Sequence, residues 1–127
     1  MTSDPRRAAA GDQRDLLVVS HEDVRRLLPM AECIDLMERT LAAVARGEAL
    51  LPLRQMAELP GPDTRYLATM PGYLGGIDAA GVKVITVFPR NEGTEWDAHQ
   101  GAVLLFDGER GGLMAIADAT EITAIRT

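Results

Sequence analysis

The chain predicts an α+β fold, with N-terminal helices packed on a mostly antiparallel, mixed sheet. Two patterns carry this. Between Ser20 and Gly47, apolar residues recur at intervals of three and four, the period of a helix face; from Leu51 to Ala117 they gather into short runs separated by glycine- and proline-rich turns. Helices first and strands afterwards, without alternation, is the order of a sheet with its helices segregated from it. The 127 residues suffice for one small domain with a core and not for two.

The elements follow in order. Met1 to Asp15 is charged and rich in alanine and glycine, and reads as a disordered leader without the apolar stretch of a signal peptide. Leu16 to Val19 is a short apolar run ending at Ser20, which with Asp23 makes a helix N-cap and an acidic first turn. That helix reaches Leu27 and Leu28 and breaks near Pro29. The next spans Ala31 to about Arg46, with Gly47 at the position after its C-cap. Ile34, Met37, Leu41 and Val44 form its stripe, widened by Leu36 and Ala43, and Glu32, Asp35, Glu38 and Arg39 its wet face. Strands are predicted over Leu53 to Leu59, over Thr64 to Met70 (closed by Pro71-Gly72), over Gly81 to Pro89, over Ala102 to Phe106 and over Leu113 to Ala117. Arg90 to Ala98 is a polar loop holding the lone Trp96. Asp118 or Thr120 caps a last helix, with Glu121 completing a capping box. That helix ends at Thr127 without a C-cap and reads as cut off mid-element.

Composition removes several function classes. A net charge of -6 and a pI near 4.8 leave no basic stripe for nucleic acid. No apolar run has the length of a membrane span. The single Cys33 excludes an internal disulfide and fits a reducing, cytoplasmic setting. His21, His99 and Cys33 have no metal-ligand spacing, and Ser3 and Ser20, the only serines, offer no nucleophile. Gly72, Gly75 and Gly76 do not form a dinucleotide fingerprint.

What remains is basic chemistry in apolar settings. Lys83 is the only lysine among 13 lysines and arginines, and it stands inside the run Val82-Lys83-Val84-Ile85. Arginine keeps its charge, whereas a desolvated lysine amine can lose a proton. A snorkelling lysine with its head in water accounts for the strand equally well. Arg54 and Arg126 also adjoin apolar elements. Converging with Lys83 they would form a carboxylate site with a usable acid/base; apart, they are three surface charges.

At these residues the chain resembles a known family. Met70-Pro71-Gly72-Tyr73-Leu74, Gly81-Val82-Lys83-Val84, Val87-Phe88-Pro89-Arg90-Asn91, His99-Gln100-Gly101 and Thr120-Glu121-Ile122-Thr123-Ala124-Ile125-Arg126-Thr127 occur in the order found in the N-terminal region of the ornithine cyclodeaminase/mu-crystallin family. The resemblance implies an NAD(P)-dependent oxidoreductase or lyase of amino and imino acids, in which this region binds substrate and forms a homodimer and an inserted Rossmann domain holds the cofactor. It implies that Arg54 and Arg126 grip the substrate carboxylate, that Lys83 assists proton transfer, that Met70 lines the substrate pocket, and that Ala98 or His99 approaches the cofactor. Residues 16–119 would then be an incomplete substrate-binding and dimerisation domain, and 120–127 the start of an interdomain helix. The Rossmann domain and the family's catalytic aspartate are expected to be missing, leaving a truncated, inactive chain that binds no NAD(P) alone. A dimerising interaction module and one half of a split enzyme are the alternatives.

Overall fold

The computed structural model describes residues 15–127, so the leader expected over residues 1–15 lies, Asp15 excepted, outside the described residues. In chain order the elements are β1 (Leu17–Val19), α1 (His21–Leu27), α2 (Met30–Ala45), β2 (Ala49–Leu50), β3 (Gln55–Glu58), β4 (Tyr66–Leu74), β5 (Ala79–Val87), β6 (His99–Asp107), β7 (Leu113–Asp118) and α3 (Ala119–Arg126). The seven strands form one sheet in the order β1-β7-β6-β5-β4-β2, with β3 also paired to β4. Every pairing is antiparallel except that of β1, which lies parallel to β7. The predicted α+β class holds.

Local chemistry sets the helix ends. Ser20 Oγ accepts from the Asp23 amide at 3.2 Å and Asp23 Oδ2 accepts from the Ser20 amide at 3.0 Å, a complete capping box on α1. Gly47, just past the C-cap of α2, has φ +76, a left-handed conformation that glycine adopts without strain. The apolar stripe of α2 sits differently from expectation. Cys33 and Ala43 are buried and Met37 and Val44 half-buried, whereas Ile34, Leu36 and Leu41 face solvent. Its chief packing partners are the short elements α3 and β2, which are too narrow to cover the whole stripe.

Strand limits depart from the turn signals for reasons of pairing. β4 runs through Pro71 and Gly72, which pair with Val82 and Gly81, rather than closing there. β3 occupies the other flank of residues 66–69 and β2 that of Tyr73 and Leu74, so the proline lies in the gap between them, where a missing N–H removes no ladder bond. β6 begins at His99, ahead of the predicted start. A Cβ on Gly101 would run into the backbone of Val84 and Ile85, so only glycine lets the ladder continue to the Val87–His99 pair.

Alternation along β5 puts Lys83, Ile85 and Val87 on one face of the sheet. There Ala68, Ile85 and Ala119 are buried, with Met70, Val87 and Val103 packed against them. α3 lies over β5 and β6 on this face, and α1 and α2 pack on α3. The opposite face, including Val82, Val84, Leu104 and Ile116, carries no described helix, and none of these four is buried.

Candidate functional site

Lys83 stands on the helix-covered face, between Met70 of β4 and Val103 of β6. Its Nζ lies 3.5 Å from Thr123 Oγ1 on α3, and the residue is half-buried. Burial pushes the Lys83 amine below the usual lysine range, and the Arg126 and then the Arg54 guanidinium add to the effect. Lost hydration and like charge both disfavour an ammonium. The three basic residues that the sequence leaves unconnected thus share one electrostatic neighbourhood. Arg126 reaches it from the last turn of α3, three residues past Thr123 and so on the same helix face. Arg54 reaches it from the segment between β2 and β3. Met70, packed on the Ala68, Ile85 and Ala119 cluster, makes an apolar wall beside the amine. Two guanidinium forks and a titratable amine against an apolar wall are suited to a small carboxylate that carries a reactive nitrogen or carbonyl.

Ala98 and His99 sit apart from this cluster. They line an open cleft of about 530 Å³ together with His21 and Arg25 of α1 and Thr120 and Thr123 of α3. That volume falls within the range of small-molecule sites. The loop before β6 is firmly held: Asn91 Nδ2 and Gln100 Nε2 both donate to the Asp97 carbonyl, at 3.1 and 2.9 Å, and the Phe88 amide donates to the Ala98 carbonyl at 2.8 Å. Thr123 joins the two regions, with its hydroxyl toward Lys83 and its side chain on the cleft wall.

Two contacts escaped the sequence. Thr123 has no distinguishing signal beyond its place one turn before Arg126. His21, to which the sequence assigns no partner, has Nδ1 3.3 Å from Asp118 Oδ2 and Nε2 3.2 Å from Glu121 Oε2. The capping box expected on α3 is half formed. Asp118 Oδ2 accepts from the Glu121 amide at 2.9 Å, but the Glu121 carboxylate turns to His21 and, at 3.0 Å, to Arg25 Nε.

The described residues do not fit a dinucleotide pyrophosphate. Such a group sits on a glycine-rich strand-to-helix turn with open backbone N–H groups. The turn from β1 into α1 is capped by Ser20 and backed by the Asp23 carboxylate, and that from β7 into α3 is capped by Asp118. An anion would meet an acid at either turn. Among the described residues no group of three or more His, Cys, Asp or Glu is placed to hold a metal ion, and no helix is long and apolar enough to cross a membrane.

Comparison with known proteins places the fold and the sequence together. The ornithine cyclodeaminase/mu-crystallin family profile matches residues 14–127. The chain is 31% identical over 113 residues to the Delta(1)-pyrroline-2-carboxylate reductase of Bacillus cereus, covering 88% of this chain and 34% of that protein. It is 33% identical over 94 residues to the ketimine reductase mu-crystallin of Mus musculus, covering 72% and 30%. Among solved structures, the Delta(1)-pyrroline-2-carboxylate reductase of Thermococcus litoralis, in complex with NADH and L-proline, superposes with a TM-score of 0.81 at 32% identity, covering 87% of this chain and 34% of that one. An archaeal alanine dehydrogenase dimer with bound NAD gives a TM-score of 0.78 at 27% identity, covering 87% and 33%. The chain spans about a third of the length of the relatives it matches. With a profile match over nearly all of the chain and a shared fold, this protein belongs to the ornithine cyclodeaminase/mu-crystallin family.

Proposed function

We propose that these 127 residues form the substrate-side half of an NAD(P)-dependent oxidoreductase site for small α-amino or α-imino acids. The observation that carries it is the action of Arg126 and Arg54 together on the Lys83 amine. In this reading the arginines fork the α-carboxylate, and Lys83 exchanges a proton with the nitrogen beside it. Met70 meets the ligand's apolar side chain. Relatives that reduce pyrroline-2-carboxylate and ketimines support that ligand class. NAD(P) is the cofactor proposed for the reaction. Ala98 and His99 are assigned to its approach because they line the cleft that meets Thr123, and its pyrophosphate is assigned to residues other than the described ones, whose helix turns carry acids. By itself the 127-residue chain is proposed to bind amino acid and to transfer no hydride. The buried free thiol of Cys33 suits the cytoplasm.

The measurement is calorimetric titration of the chain with L-proline, accompanied by an NAD(H)-coupled assay. Saturable binding is expected, weakened about tenfold or more by Arg126→Gln or Arg54→Gln, the worth of one charge-assisted hydrogen bond. Heat indistinguishable from dilution would remove the carboxylate site. Turnover of NADH by the chain alone would remove the division of labour. A homodimer is proposed alongside, through the sheet face of Val82, Val84, Leu104 and Ile116. What favours it is the absence of any described helix over that half-exposed apolar surface, together with the dimeric state of the alanine dehydrogenase relative.

A further inference from the structure

We propose that Lys83 is also a nucleophile, condensing through its ε-amine with small α-keto acids to give a reversible imine, an activity that needs no nicotinamide. This rests on the carboxylate site proposed above and adds a covalent step to it. Two observations and one consequence of the ligand's own chemistry converge. Lys83 is the only lysine in the chain, held over Met70 and Val103 and only half-buried, so that a small molecule can reach it. A desolvated lysine beside other cations is an activated amine, and Arg126 and Arg54 are those cations. Finally, a keto acid whose carboxylate rests on the guanidiniums presents its carbonyl carbon, the next atom along, to the neighbouring amine.

The step balances without any further reactant. The neutral amine adds to the keto carbon, the C–N bond forms, and the carbonyl π pair becomes a hydroxyl by taking the proton that nitrogen sheds. Thr123 Oγ1, 3.5 Å from Nζ, is placed to pass that proton. The nitrogen lone pair then forms C=N as the C–O bond breaks, the hydroxide takes the remaining N–H proton and leaves as water, and the neutral imine so formed exchanges a proton with solvent to and from the iminium. Nothing is oxidised or reduced. The ligand carboxylate offsets the guanidinium charge that opposes a cationic iminium, so keto acids react where simple ketones do not.

The test is incubation of the chain with pyruvate and cyanoborohydride, which reduces an imine to a stable secondary amine, followed by peptide mass mapping. One reduced pyruvate adduct is expected at Lys83. It should form about tenfold or more faster than at the N-terminal amine, and faster by the same factor than with acetone, which lacks the carboxylate. Arg54→Gln and Arg126→Gln should bring the pyruvate rate down toward that of acetone, and Lys83→Arg should leave only N-terminal labelling. Circular dichroism checks that the variants fold, and the pyruvate-to-acetone ratio on the unaltered chain needs no variant. Labelling at Lys83 no faster than at the N-terminal amine, or equal for pyruvate and acetone, overturns the assignment. L-proline separates the two proposals. If proline binds saturably while pyruvate leaves Lys83 unlabelled, Lys83 is no nucleophile but the carboxylate site stands. If proline fails to bind and labelling is unselective, both fall.

Discussion

Burial and two guanidiniums act on the Lys83 amine in the same direction, which gives its titration a consequence for stability. Unfolded, the amine takes the ordinary lysine value of about 10.4; folded, it lies lower. Between those values the unfolded chain binds more protons, so folding stability rises with pH through that window, and the penalty is fully present below the folded value. Denaturant midpoints followed upward from neutral pH to the ordinary lysine value of about 10.4 should therefore climb in the natural chain relative to Lys83→Met, which lacks that part of the slope. Parallel curves would mean an amine as hydrated as any surface lysine. Lys83 was legible in the sequence because a lone lysine in a β-branched run is anomalous by itself. That it meets Arg54 and Arg126 was not legible, since they come from a connecting segment and a helix far away in the chain. Thr123 was invisible for another reason: threonine on a helix is ordinary until its hydroxyl is seen beside an amine.

At the scale of elements, α3 is the piece on which the site depends. It has eight residues, too few to be stable alone, and it carries both Thr123 and Arg126. Asp118 holds its start through the Glu121 amide at 2.9 Å, and the same oxygen meets His21 of α1 at 3.3 Å. Asp118→Ala should cost about 1 kcal/mol of stability, the usual worth of a cap, and should weaken proline binding because Arg126 moves with the helix. Asp118→Asn keeps a capping oxygen and should recover most of both. Thermal melts and titrations on the two variants check this, and equal losses in both would assign the effect to the His21 contact instead. Caps were the most legible features, as Ser20, Asp118 and Gly47 act within a few residues of themselves. β2, the extension of β4 through Pro71 and the exposed half of the α2 stripe were not, because each depends on what lies across from it.

Across the whole molecule, the α+β class follows from local pattern, while the order of the strands in the sheet and its uncovered face follow only from topology. A run such as Val82-Lys83-Val84-Ile85 does not say which of its faces is covered, and the three described helices lie on the Lys83 and Ile85 side. Leu104 stands between Val82 and Ile116 near the middle of the bare face. A two-fold pair of sheets would bury each such residue twice, once from each copy. Replacing it with a charge forfeits about 1.5 to 3 kcal/mol per copy in apolar burial alone, so Leu104→Glu should weaken dimerisation by about a hundredfold or more. Sedimentation equilibrium of the natural chain and the variant reads this directly. The natural chain should associate to a dimer and the variant should sediment as a monomer with unchanged circular dichroism. Leu41→Glu, on the exposed side of α2, distinguishes the sheet face from the helical one: it should leave the dimer intact, and loss of association there instead would move the interface to the helices.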